Sequence, residues 1–469
     1  MKIDENMCVE ELIRIARSEE CNRENAQFVF HSINRYFGEF KRNQCFREAD
    51  LALSPKFGRM LEHFGSEEGV AFASQYFLFA YTLTETNYKQ CQLRIEADVA
   101  QPYLHWVRDR WAAFKPAVKG IGVGEEMVFL CRHALTQGMY APGKSTFTFI
   151  KALLENEERV TLIVLGEVGD EFKSLARSYA NFTLARLQRR PIKEKFSSLI
   201  ALLGHVRPKA LMTEIEFDIA SVLAILEPQF PVVLLSAGYY NLPWYDKIGL
   251  TDTLADSPVG QRQSDFFTIP TYVSHELLDP YIDPGRVKRV RSELGFADDD
   301  VIIGSFARME KFSVSFGSVL KSVLDRRPQA KVLLAGPNDK TNITQAIRPY
   351  GDTSRAWVLG QTDVHILGRC VDIALDTFPL HSRFSMLELM AKNVPVVAMN
   401  DEGIDGYWKQ RLPNLLCSSY DEMVELLCKL IDDQAFRGSC IQKTKSFMDS
   451  QQQDALFVSV LREALAAQA

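Results

Sequence analysis

Apolar residues recur every three or four positions through roughly the first 115 residues, and beyond them they gather into short continuous runs. VEELIRIARSEE, ENAQFVFHSINRYFGEF, EEGVAFASQYFLFAYTLTETNYKQCQLRIEADV and LHWVRDRWAAF carry the helical spacing and predict stacked antiparallel helices. They share no fixed period, so a helical solenoid is not expected. From Met127 the pattern changes. MVFLCR, VTLIVLGE, ALMTEI and VVLLSAG are short, apolar and β-branched, with helix-like stretches such as STFTFIKALLENEE between most of them. A second series, VIIGSF, KVLLAG, AWVLG, VDIALDT and PVVAM, begins near Val301. Such alternation predicts parallel sheets covered by helices. Residues 256–300 are richer in Pro, Gly and charge, include LLDPYIDPGR, and suit an interdomain connection. DEMVELLCKLIDD and ALFVSVLREALAAQ predict two helices near the end. Periodicity alone therefore implies an all-helical region over 1–115 and two α/β domains, 116–280 and 281–469.

Composition narrows the function. A chain of 469 residues is long enough for two or three domains, and 46% hydrophobic with 24% charged residues is ordinary for folded protein. A net charge of -6 argues against broad nucleic-acid binding, which needs basic surface to displace counterions. The nine cysteines are scattered without a CxxC pair, as expected of a reducing compartment with no zinc site. The opening MKIDENMCVEELIRIARSEE is polar and lacks a signal-peptide core, and no 18-residue apolar run is present. A soluble, cytoplasmic protein with no membrane span is expected.

Two stretches of the third domain carry candidate chemistry. In VDIALDTFPLHSRFSMLELMAKNVPVVAM, Val371–Met399, an apolar strand ends at Asp376, a short loop follows, and a helix carries Glu388 before the next strand. In a parallel sheet this places the loop and helix start at the carboxyl edge, where ligands bind. Free N–H groups and the positive dipole end suit a diphosphate there, and Glu388, one turn inside, could accept from two ribose hydroxyls. In GSFARMEKFSVSFGSVLKSVLDRRPQAKVLLAG, Arg308 and Lys311 follow the first strand. Two cations at that edge could grip a diphosphate and stabilise charge growing on a leaving group without a metal. The bland alternatives are a pair of solvated cations, and an S-x-x-E capping box in which Ser385 and Glu388 satisfy only the first helical turn.

FARMEKFSV, RRPQAKVLLAG and LDTFPLHSRFSMLELMAKNVPVV resemble the catalytic half of the O-GlcNAc transferase family, which includes bacterial cytoplasmic transferases that glycosylate adhesins. The resemblance covers roughly residues 300–400. It implies a GT-B glycosyltransferase, two Rossmann-like domains preceded here by an all-α N-terminal domain, with the nucleotide on the C-terminal side and the acceptor on the N-terminal side. It places Lys311, after Phe306, on the diphosphate. Ser382, Arg383 and Ser385 occupy the places of the β-phosphate contacts, and His381 in the same loop is a further candidate. Glu388 takes the place of the ribose ligand. Where the family often has His-Thr-Thr at the helix start, this chain has Arg383, Phe384 and Ser385. The apolar strand and glycine turn of VVLLSAGYYNLPWYDKIGLTD resemble the family's acceptor side. Gly238 would admit the acceptor or sugar, with Tyr239 and Tyr240 walling the cleft; an aromatic packing turn is the alternative. His133 follows MVFLCR, where an imidazole could deprotonate an acceptor hydroxyl or serve only structurally.

Two motifs point elsewhere. Gly138 to Ser145, GMYAPGKS, satisfies the P-loop pattern GxxxxGK(S/T), in which Lys144 would hold phosphates and Ser145 would coordinate Mg²⁺. The strand ends too early for a P-loop, and no persuasive Walker B aspartate follows. Asp298, Asp299 and Asp300 have the spacing of a metal-binding acidic motif, but they precede a strand and read better as a solvated turn. The expectation is metal-independent, inverting transfer of a hexose or N-acetylhexosamine from a UDP-sugar to a polypeptide such as a surface adhesin, with no cofactor. A GT-B transferase for a surface glycan or glycolipid, a non-catalytic assembly partner and a P-loop NTPase are the alternatives. The linkage and the oligomeric state stay open.

Overall fold

The computed structural model describes the chain except for residues 1–4, 20, 37–50, 52, 83–93, 137–140, 188–190, 216, 237–241, 252–265, 270–272, 337–342, 345–346, 349, 351–354, 379–380, 383, 401–414, 451–453 and 467–469. Gly238, Tyr239, Tyr240 and Arg383 lie outside the described residues. The described chain forms two compact units. One comprises Met1–Thr136, Thr146–Pro270 and Asp454–Ala469, the other Gln137–Ser145 and Thr271–Gln453.

In the first unit, the regular structure described before Glu126 is helical: α1 (Glu5–Arg17), α2 (Arg23–Tyr36), α3 (Ser66–Thr82), α4 (Gln101–Arg110) and several short turns. Aromatic residues fill its centre, with the Phe72 ring 5.4 Å from Phe57, 4.8 Å from Phe64 and 5.7 Å from Tyr76. Gly69 lets α3 approach α4, because a Cβ there would stand 2.2 Å from the Trp106 ring. These helices share one hydrophobic core with the first sheet. The buried Tyr103 hydroxyl, for example, lies 3.1 Å from the Ser221 hydroxyl beyond that sheet's fourth strand. The helical region and the first α/β region, divided near residue 115 on periodicity, therefore form one compact unit.

The first sheet is parallel, with β1 (Glu126–Cys131), β2 (Val160–Val164), β3 (Phe182–Arg186), β4 (Pro208–Thr213), β5 (Val232–Ser236), β6 (Lys247–Thr251) and β7 (Phe266–Ile269) in the order β3-β2-β1-β4-β5-β6-β7. Helices α5 (Ala141–Glu155), α6 (Asp170–Ser178), α7 (Ile192–Val206) and α8 (Ile219–Ile225) lie between its strands in sequence. The helix nearest the end of the chain, Asp454–Ala466, also belongs to this unit. Phe457 stacks on Phe149 of α5 with centroids 4.2 Å apart, and Arg462 pairs with Glu158 at 2.7 Å. This corrects the division expected from periodicity, in which the helix falls within 281–469.

The second unit holds β8 (Val301–Phe306), β9 (Ala330–Ala335), β10 (Ala356–Leu359), β11 (Ile373–Leu375), β12 (Val396–Met399) and β13 (Leu416–Cys417), all parallel, in the order β10-β9-β8-β11-β12-β13. Its longer helices are α9 (Pro284–Glu293), α10 (Val314–Arg326), α11 (Phe384–Ala391), α12 (Tyr420–Asp432) and α13 (Gln434–Ser450). In each sheet the order runs outward both ways from the first strand, the doubly wound Rossmann arrangement. The crevice at the carboxyl ends of the two strands where the order reverses is the place such folds bind ligands. Those strands are β1 and β4 in the first sheet, β8 and β11 in the second. Gly304 brings β8 close to the segment entering β11, since a Cβ there would sit 2.4 Å from Val371 Cγ2.

Candidate functional site

At the reversal point of the second sheet, β8 runs into Arg308 and Lys311, and β11 runs into Asp376 and its loop. Arg308 precedes a single tight turn, Met309–Lys311, which turns the chain sharply after the strand. Gly336, just past β9, permits this turn, because a Cβ on it would come within 1.7 Å of the Ala307 carbonyl oxygen. Behind the turn, Phe312, Phe316, Phe378 and Tyr420 form a chain of ring contacts with centroids 5.0–5.5 Å apart. Phe378 anchors the β11 loop in that chain and is buried.

Asp376 organises the loop. Its carboxylate is buried and accepts from the Ser382 backbone N–H at 2.9 Å, from the Ser382 hydroxyl at 2.5 Å and from His381 Nδ1 at 2.6 Å. The His381 carbonyl in turn accepts from Lys311 Nζ at 2.8 Å. Lys311, His381 and Ser382, separated by some seventy positions in sequence, are thus brought together by one acidic residue at a strand end. Ser382 spends its hydroxyl on Asp376, so it shapes the loop. Ser385 is half-buried on α11, and its N–H donates to the Ser382 carbonyl at 2.8 Å. Among the described residues its hydroxyl makes no hydrogen bond, which leaves it available to a ligand at the helix start.

Glu388 is buried one turn along α11. Its carboxylate does not turn back to Ser385 as a capping box would require; Oε1 accepts from the Lys144 ammonium. The same ammonium lies 5.4 Å from the centroid of the Phe384 ring. Lys144 is itself buried, within the first turn of α5. A P-loop lysine extends toward an open phosphate cradle, whereas this one is engaged by a carboxylate and a ring; Gly138 of the motif lies outside the described residues. Asp300 accepts from the Ala297 N–H and pairs with Lys331, as in a structural acidic turn.

Beneath Glu388 lies a polar cluster that sequence reasoning missed. Lys392 is buried and donates to the carbonyls of Glu388 at 2.9 Å and Leu278 at 2.5 Å, while Asp279 stands 3.7 Å from it and also pairs with Arg369. Burial pulls the Lys392 ammonium down to about 8 against the opposing pull of Asp279 and Glu388. His365 lies 3.3 Å from Lys392, and burial together with Lys392 and Lys144 holds its imidazole near 4, so it is neutral at physiological pH. A Glu388–Lys392 spacing of four on a helix was the available signal.

In the first unit, His133 follows β1 at that sheet's own reversal point. Its Nδ1 accepts from the Glu167 N–H at 3.2 Å. Accepting at Nδ1 places the proton of the ring's neutral form on Nε2. Arg132 beside it lies 3.8 Å from Asp218.

No family model matches the chain, and no curated protein matches it in sequence. Solved structures do resemble it in fold. A mutant O-GlcNAc transferase from Thermobaculum terrenum aligns over 100% of both chains with a TM-score of 0.57 at 13% identity. HepE from Anabaena, solved with UDP and glucose, covers 73% of this chain and 100% of its own, with a TM-score of 0.56 at 13% identity. A glycosyltransferase from Rickettsia africae covers 72% and 99% respectively, with a TM-score of 0.54 at 13% identity. Likeness at that identity shows the fold, two Rossmann-like domains of the GT-B type. Among the described residues, no helix is long and apolar enough to cross a membrane.

Proposed function

We propose that this chain transfers a hexose or N-acetylhexosamine from a UDP-sugar to a polypeptide acceptor. One observation carries the reading: the reversal point of the second sheet gathers Lys311, the Asp376-ordered loop, the start of α11 and a buried carboxylate, Glu388, one turn beyond. A nucleoside diphosphate needs that sequence of groups. Lys311 and Arg308 supply positive charge, and the α11 start adds N–H groups and the Ser385 hydroxyl for the phosphates. Glu388 supplies an acceptor for ribose hydroxyls.

Transfer breaks the bond between the anomeric carbon and the diphosphate oxygen. Negative charge grows on that oxygen, and fixed cations and dipoles stabilise it without reorganising. Attack by the acceptor's nucleophile on the opposite face forms the new glycosidic bond and inverts the anomeric carbon, and the proton the nucleophile loses leaves with the released diphosphate. His381 and Ser382 are held in place in advance of binding. Lys311 is bound to a carbonyl whose residue is held by Asp376, so little ordering remains when the diphosphate arrives. The acceptor is assigned to the first unit, on the side of His133.

The test is thermal unfolding with UDP, GDP, ADP and ATP–Mg²⁺, followed by UDP release from a panel of UDP-sugars with and without peptide acceptors. UDP at 100 times its Kd should stabilise by about 2.7 kcal/mol. Lys311→Ala should abolish that shift while leaving the fold intact. A shift with ATP–Mg²⁺ alone, or UDP binding unchanged in Lys311→Ala, would sink the reading.

A further inference from the structure

The Lys144–Glu388 pair joins the one motif lysine that the proposed transfer leaves unused to the carboxylate assigned to ribose. Both side chains are withdrawn from water, Lys144 to 2% and Glu388 to 9% exposure. A buried carboxylate keeps one orientation only if a cation or several donors hold it, because water is not there to satisfy its oxygens. Among the described residues, Lys144 is the side chain that bonds it, through Oε1, and Oε2 accepts no hydrogen bond. Lys392 sits one turn away, but its ammonium donates to the backbone carbonyls of Leu278 and Glu388. It therefore fixes the helix turn without bonding the carboxylate.

The approach to Glu388 is built from both sides. Phe384 and Glu388 are four residues apart on α11 and so share a face of the helix. Lys144 engages both, its ammonium 5.4 Å from the Phe384 centroid and bonded to Oε1. The aromatic residue at the helix start thus has a partner 240 positions upstream. Lys144, itself set against Phe384, fixes one carboxylate oxygen and leaves the other.

We propose that Lys144 is a positioning residue for donor recognition, holding Glu388 as an aimed carboxylate so that Oε2 reads the ribose hydroxyls. The inference rests on the reading of Glu388 as the ribose ligand. Lys144 acts through Glu388 and touches neither phosphate nor sugar, which separates this role from that of a P-loop lysine.

The experiment is calorimetric binding of UDP and 2′-deoxy-UDP to the full chain: wild type, Lys144→Met, Lys144→Arg and Glu388→Gln. A hydroxyl bonded to a carboxylate should make the wild type prefer UDP by ~10- to 100-fold. Lys144→Met should bring that ratio toward one, as Glu388→Gln does, and Lys144→Arg should retain most of it. Should Lys144→Met fail to fold, Lys144→Gln, which keeps a donor for Oε1 without the charge, should still lower the ratio. A fall in affinity for both nucleotides with the ratio intact would overturn the proposal and make Lys144 a phosphate contact. A wild type that binds UDP but does not distinguish the two would overturn it while sparing the donor reading. A wild type that binds neither would remove the donor reading first, and this inference with it.

Discussion

Replacing Asp376 by alanine tests whether one carboxylate organises the site. The side chain is buried and accepts three hydrogen bonds, from Ser382 N–H, Ser382 Oγ and His381 Nδ1. Bonds to a charged group contribute about 1.5–3 kcal/mol each, and they are not additive. Alanine leaves the Ser382 amide and the His381 ring without their acceptor, while the Ser382 hydroxyl can rotate elsewhere. A loss of about 3–5 kcal/mol follows, the usual cost of breaking a buried charged network. Asparagine should cost much less, about 1–2 kcal/mol. Its oxygen can keep both Ser382 donors, and its amide can face His381 Nδ1 once the ring moves its proton to Nε2. The assay is calorimetry of wild type, Asp376→Ala and Asp376→Asn. At roughly 2–4 °C per kcal/mol for a domain of 150–250 residues, alanine should lower the melting temperature of the second unit by about 6–20 °C. UDP affinity should fall with it, because Lys311 is held through His381. An alanine variant within about 1 kcal/mol of wild type would refute this account, as would an asparagine variant as damaged as the alanine.

Two further outcomes follow from the same unit. Lys392 releases its proton near pH 8 when folded and near 10.4 when unfolded, so the unfolded chain binds more protons across that window and native stability rises with pH by up to about 3 kcal/mol. Buried Cys370, raised to about 11, and Cys417, raised to about 12, push the other way above pH 9, so urea unfolding from pH 7.5 to 10 is compared between wild type and Lys392→Met, whose curve should lack the rise. Gly304→Ala should cost about 1–3 kcal/mol, since the new Cβ meets Val371 Cγ2 at 2.4 Å; adding Val371→Ala removes the clashing methyls, and a double mutant no more stable than Gly304→Ala would refute the packing argument.

Both sheets were legible where strands are apolar on both faces. VTLIV, VIIGSF and KVLLA are buried along nearly their whole length, and burial on two faces leaves an unbroken hydrophobic run in sequence. Of the four strands that periodicity missed, β7 (FFTI) lies within the stretch read as an interdomain connection, and the other three lack that run. β3 is an edge strand with mostly half-exposed residues, β6 carries Lys247 and Gly249 within KIGLT, and β13 is two residues long. The final helix is evident from its spacing, but spacing cannot say which sheet it serves. Phe149 and Glu158 settle that in the folded chain.

The site divides along the same line. Strand ends and helix starts are local features, so the edge carrying Lys311, Ser382 and Ser385 could be found from the string alone. Side-chain partners are not local. Asp376 reads as a strand end in the string and is, in the fold, the acceptor that orders the loop. Lys144 shows the limit most sharply, because GMYAPGKS matches a phosphate motif residue by residue. What the lysine can do depends on the group opposite its ammonium, and that group is a carboxylate 244 positions away. Burial then makes the pairing consequential: in water the two charges would be worth little to each other, but withdrawn from solvent neither keeps its charge cheaply alone. A motif whose chemistry requires an unoccupied cation is therefore weakened by any buried anion the fold places against it.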